Sequence, residues 1–74
     1  MKMKPYKDES GNSGISAYRI EEKMIVIAFK TGEIYTYSYN KAGKKHVEEM
    51  KNLAEQGRGL TTYINKYVSD LYDK

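Results

Sequence analysis

The chain has no cysteine, no tryptophan, one proline, one phenylalanine and one histidine in its 74 residues. Each scarcity excludes something. Without cysteine there is no disulfide framework and no thiolate metal site, which agrees with a reducing compartment. His46 stands alone, and no nearby carboxylates have the spacing of a metal site, so no metal and no other cofactor is expected. The serines and threonines lie in no nucleophile elbow, and Gly57-Arg58-Gly59 lacks the lysine and hydroxyl of a phosphate-binding loop. No catalytic residues are expected, and no small-molecule substrate. The longest apolar run, Met24–Phe29, is far too short to cross a bilayer, and Met1-Lys2-Met3-Lys4-Pro5 has no apolar segment behind its lysines to serve as a signal peptide. A cytoplasmic protein with no membrane partner is expected.

What is present is the composition of an ordinary globular chain. With 39% hydrophobic and 31% charged residues it is neither disordered nor membrane-embedded in type. Its length suits a single small domain. With one phenylalanine, the aromatic bulk must come from the eight tyrosines. The net charge of +3 is mildly basic, and Lys41, Lys44 and Lys45 cluster ahead of Glu48, Glu49 and Glu55.

The central stretch is Ile34-Tyr35-Thr36-Tyr37-Ser38-Tyr39, where period-two tyrosines share one strand face. It follows Met24–Phe29 across a Thr31-Gly32 turn, so the two runs read as a hairpin. A two-residue loop would split the apolar set between faces. A three-residue loop with Gly32 left-handed pairs Phe29 with Glu33, Ile27 with Tyr35 and Ile25 with Tyr37, and gathers the apolar residues on one face. That register predicts Tyr35 and Tyr37 in the core and a mixed opposite face with Met24, Val26, Ala28, Lys30, Ile34, Thr36 and Ser38. Ile15, Ala17, Tyr18 and Ile20 form an earlier strand with an open edge. Residues 1–13, polar apart from a few positions, read as a flexible arm outside the core, and 14–74 as the domain.

After Asn40, a plausible N-cap, Val47, Met50, Leu53 and Ala54 recur at helical spacing up to Gln56-Gly57. Leu60, Tyr63, Ile64, Tyr67, Val68 and Leu71 define a second helical face, with an irregular tail from Tyr67 as the alternative. The expected fold is α+β: a three-stranded antiparallel meander covered on one face by two C-terminal helices.

A start containing Ile15 and Tyr18, a hairpin reading Phe29-x-Thr-Gly-x-x-Tyr35-x-Tyr37, a helix, and a closing Gly59-x-x-x-Tyr63-Ile64-Asn65 together resemble the KTSC domain family. Those small modules occur alone in bacteria and their phages and at the C-terminus of some lysyl-tRNA synthetases. The resemblance covers roughly residues 13–72. It implies a bacterial or phage-encoded binding module, with RNA binding suggested by the attachment to a synthetase.

Two function classes follow. The first is a module for RNA or single-stranded nucleic acid, with Lys41, Lys44, Lys45, Arg58 and Lys66 on phosphates and Tyr39 stacked on a base; Tyr39, Tyr6 and Tyr72 are the tyrosines expected to be exposed. The second is a protein-interaction module using Met24, Val26, Ile34 and Thr36 of the outer sheet face, with self-association through that face as a corollary.

Overall fold

The computed structural model describes residues 3–8 and 14–72. Its strands are β1 (Lys4–Pro5), β2 (Ile15–Glu21), β3 (Met24–Phe29) and β4 (Ile34–Ser38). They form one antiparallel sheet in the order β1-β2-β3-β4. Helix α1 (Lys44–Gln56) and helix α2 (Leu60–Tyr63), which runs on as a π-helical turn Ile64–Val68, close one face. The fold is α+β, with a fourth strand beyond the expected three.

The hairpin has the register that gathers the apolar residues. Ile27 pairs with Tyr35 and Ile25 with Tyr37, and the Phe29 amide donates to the Glu33 carbonyl at 2.8 Å. Gly32, at φ 97°, returns its amide to the Phe29 carbonyl, a backbone geometry that a side chain would oppose. In β2 a bulge between Ile15 and Ala17 lets Ile15 and Tyr18 share the helix-facing side despite their odd spacing. Ile15, Ile25 and Ile27 are fully buried there, beneath Val47, Met50 and Ala54 of α1. Each such aliphatic side chain contributes about 1.5–3 kcal/mol of hydrophobic stabilisation.

Tyr37 lies at the centre of this face, 2% exposed. Burial, and then the neighbouring Tyr35 and Tyr72 hydroxyls, push its own hydroxyl up to about 12. The unfolded chain, with an ordinary tyrosine, loses its proton first. Stability from this group is therefore complete below about pH 10 and declines as pH rises toward 12. Urea midpoints at neutral and strongly alkaline pH measure the loss. Tyr37→Phe should recover part of it, and equal alkaline losses in the two proteins would remove Tyr37 as the cause.

The N-terminal segment departs from the expected arm. Lys4 and Pro5 pair with Tyr18 and Ala17, Tyr6 is 7% exposed within the core cluster, and Asp8 forms a 3.0 Å ion pair with Lys30. Tyr6 is thus a core residue rather than an exposed one. The physical reason is tertiary: the segment fills the edge beside β2 and the space above it, which polar composition alone does not disclose. The remainder of the expected arm, residues 1–2 and 9–13, lies outside the described residues. So do residues 73 and 74 of the expected domain.

Helix α1 begins later than expected. Asn40 is exposed in a turn, and Gly43 is the N-cap, its carbonyl accepting from the Val47 amide at 3.0 Å. Ser38 organises the intervening turn: its carbonyl accepts from Ala42 and its hydroxyl oxygen from the Lys41 amide. The expected end holds, because Gly57 at φ 80° donates to the Leu53 carbonyl. In the last segment Leu60, Ile64 and Val68 are buried at four-residue spacing. An α-helix would rotate such a set by roughly 40° per step. The wider π turn keeps the row on the core, while Tyr67 and Leu71 turn outward, 48% and 37% exposed.

Candidate functional site

The first two turns of α1, the end of α2 and the π turn flank a groove of about 300 Å³ lined by Lys45, His46, Glu49, Tyr63 and Tyr67. His46 Nδ1 lies 2.7 Å from the Tyr63 hydroxyl. Burial first, and then the Glu49 charge, raise the pKa of that hydroxyl, keeping it protonated. A protonated hydroxyl donates to Nδ1 when the ring proton is on Nε2. The His46 and Tyr67 rings are stacked at 5.8 Å and 25°, and Tyr63 and Tyr67 lie 4.7 Å apart. The Lys66 ammonium stands 5.4 Å from the centre of the half-exposed Tyr67 ring. The result is a small aromatic plate with Lys45 and Lys66 beside it. Glu49 is its one acidic member.

Tyr39, expected to stack on a base, is occupied elsewhere. Its hydroxyl donates to Glu48 Oε2 at 2.6 Å, and the Lys51 ammonium donates to the same oxygen and to the Glu22 carbonyl while lying 5.6 Å from the Tyr39 ring centre. The Tyr39 hydroxyl, and then Lys51, hold Glu48 below the usual carboxylate range. This cluster ties the end of the hairpin to α1 and leaves Tyr39 half-buried. Tyr72 is half-buried as well, packed 4.6 Å from Tyr35 and 6.4 Å from Tyr37.

The expected basic residues separate into groups. Lys44 and Lys45 are exposed in the first turn of α1, Lys41 is exposed in the turn before it, and Lys66 joins Lys45 through Tyr67. Arg58 is exposed beyond the opposite end of α1, roughly 20 Å away by the rise of a helix of this length. A single patch from all five does not form. Tyr63, Tyr67 and His46 were not among the expected binding residues. Their signal was the i, i+4 spacing of Tyr63 and Tyr67 next to Lys66, which also satisfies a simple core stripe.

The alternative set is also divided. Met24 and Thr36 are half-buried, and Ile34 is 62% exposed on a sheet face that no described helix covers. Val26 is 7% exposed, in its row between Arg19 and Thr36, and so offers little surface to a partner. The open edge expected on the first predicted strand is occupied over Ala17 and Tyr18 by β1.

Among the described residues, no three His, Cys, Asp or Glu side chains converge to hold a metal, and no helix is long and apolar enough to cross a membrane. No protein-family model, curated protein or solved structure matches the chain.

Proposed function

We propose that this protein is a non-enzymatic module of KTSC type that binds single-stranded nucleic acid, RNA foremost, in the groove between α1 and the π turn. The supporting observation is the half-exposed Tyr67 ring, which lies beneath the Lys66 ammonium and lines one groove with Lys45. A base stacks on Tyr67, and the lysines, with Lys44 and Lys41 beyond, follow the phosphates. His46 and Tyr63 hold the Tyr67 ring in position. An aromatic platform of this kind is tolerant of sequence, because every base has a π-face.

A labelled single-stranded RNA and a matched duplex, each titrated at low and physiological salt, test this. Single-strand affinity should exceed duplex affinity and fall with salt. Contacts from Lys41, Lys44, Lys45 and Lys66 give a logarithmic slope of about −3. Tyr67→Ala should weaken binding about tenfold or more, the worth of a stacked base. No binding at low salt ends this proposal.

A protein-interaction role is favoured by one separate observation, the 62% exposure of Ile34 on the uncovered sheet face. A charge at Ile34 distinguishes the two, since it lies on the other face and should leave RNA affinity unchanged.

A further inference from the structure

The ladder between β3 and β4 fixes which backbone groups remain. Phe29 bonds to Glu33 at one end and the Tyr39 amide to the Lys23 carbonyl at the other, so bonded and non-bonded pairs alternate between them. Tyr35 and Tyr37 use their backbone groups on β3. Ile34 and Thr36, opposite Ala28 and Val26, point their N–H and C=O groups away from it. β4 is a terminal strand of the sheet, and none of the described backbone hydrogen bonds outside the ladder reaches Ile34 or Thr36.

Sheet proteins guard such an edge with lysine, proline, a bulge or a covering element. β4 reads Ile-Tyr-Thr-Tyr-Ser, continuous β-formers with none of the first three. The opposite edge is guarded, because β1 caps part of β2 and ends in Pro5.

We infer that β4 pairs antiparallel with β4 of a second copy of this chain, continuing the sheet across a dyad at Tyr35. Ile34 then lies opposite the partner's Thr36, and each exchanges both backbone bonds with the other. The exposed Ile34 side chain gains a β-branched neighbour on the outer face. Antiparallel pairing in this register sets Glu33 of one copy opposite the other's Tyr37, away from the partner's own Glu33. A parallel arrangement would set Glu33 against its own copy. With the other edge capped, the contact closes as a dimer and does not propagate into a fibre.

Sedimentation over a concentration series, combined with amide hydrogen exchange, tests the pairing. The protein should become dimeric with concentration, and exchange at Ile34 and Thr36 should slow by about tenfold or more while Tyr35 and Tyr37, already bonded to β3, stay as they were. Ile34→Lys, at a position where the fold tolerates charge, should remain monomeric with an unchanged circular dichroism spectrum. A monomer up to about millimolar concentration overturns the inference. So does a dimer that leaves Ile34 and Thr36 exchange unaltered, or one that survives Ile34→Lys.

Discussion

Tyr37→Ala should remove about 3–5 kcal/mol of stability. The ring lies at the middle of the inner face, paired with Ile25, packed against Tyr72 and 2% exposed. Removing a buried aromatic ring costs about 3–5 kcal/mol, through lost transfer energy and the cavity that remains. A domain of this size has a total stability of about 4–11 kcal/mol. The substitution therefore removes a large part of what there is. Tyr37→Phe keeps the ring and should cost about 1 kcal/mol or less. Urea titration followed by circular dichroism separates the two variants. If Tyr37→Ala costs no more than Tyr37→Phe, the ring is not a packed core element.

Gly57→Ala should cost about 2–5 kcal/mol, and it should act on the far end of the chain. Gly57 holds φ 80°, where a side chain costs about 1–2 kcal/mol. An added Cβ would also lie 2.5 Å from Lys7 Cβ, and this overpacking costs about 1–3 kcal/mol more. Lys7 Cβ belongs to the root of its side chain, so relief requires the backbone of residues 3–8 to withdraw. Tyr6 would leave the core with it. The two effects are then coupled: once Tyr6→Ala has loosened the segment, adding Gly57→Ala should cost less than it does alone. A double-mutant cycle measures this, and strict additivity would mean that Gly57 and the N-terminal segment are energetically separate.

Much of the sheet was legible in the sequence because register and burial are governed by the same period. Only the three-residue loop at Thr31-Gly32 put Ile25, Ile27, Tyr35 and Tyr37 on one side, and the glycine suited that loop. The body and end of α1 were legible from Val47, Met50, Ala54 and Gly57 for similar reasons. Its start was not, since Asn40 has the chemistry of a cap while Ser38 makes the bonds. Tyr6 was missed because its partners, Ser16 and Leu60, are distant in sequence, and the short run around it carries no periodicity.

At the candidate site the sequence indicated Lys45 and Lys66 together with Tyr39, whereas the groove places them beside Tyr67. Tyr39 follows directly on the tyrosine strand and so read as its exposed extension, yet Glu48 and Lys51 immobilise it. Tyr67 read as part of the core stripe, and only the π turn rotates it outward. A period of 3.6 cannot anticipate a local change of period.

The bond from the Leu60 amide to the Tyr6 hydroxyl, at 3.3 Å, joins residues 54 apart in the chain. It bears on the order of assembly. The segment at residues 3–8 precedes in sequence the elements that seat it, β2 and the start of α2. Closing so long a loop early would cost chain entropy with no contact to offset it. The hairpins and α1 are built from near neighbours and can form first, so Tyr6 docks last and completes a sheet and core that are already in place. This final step waits until Leu60 is in place.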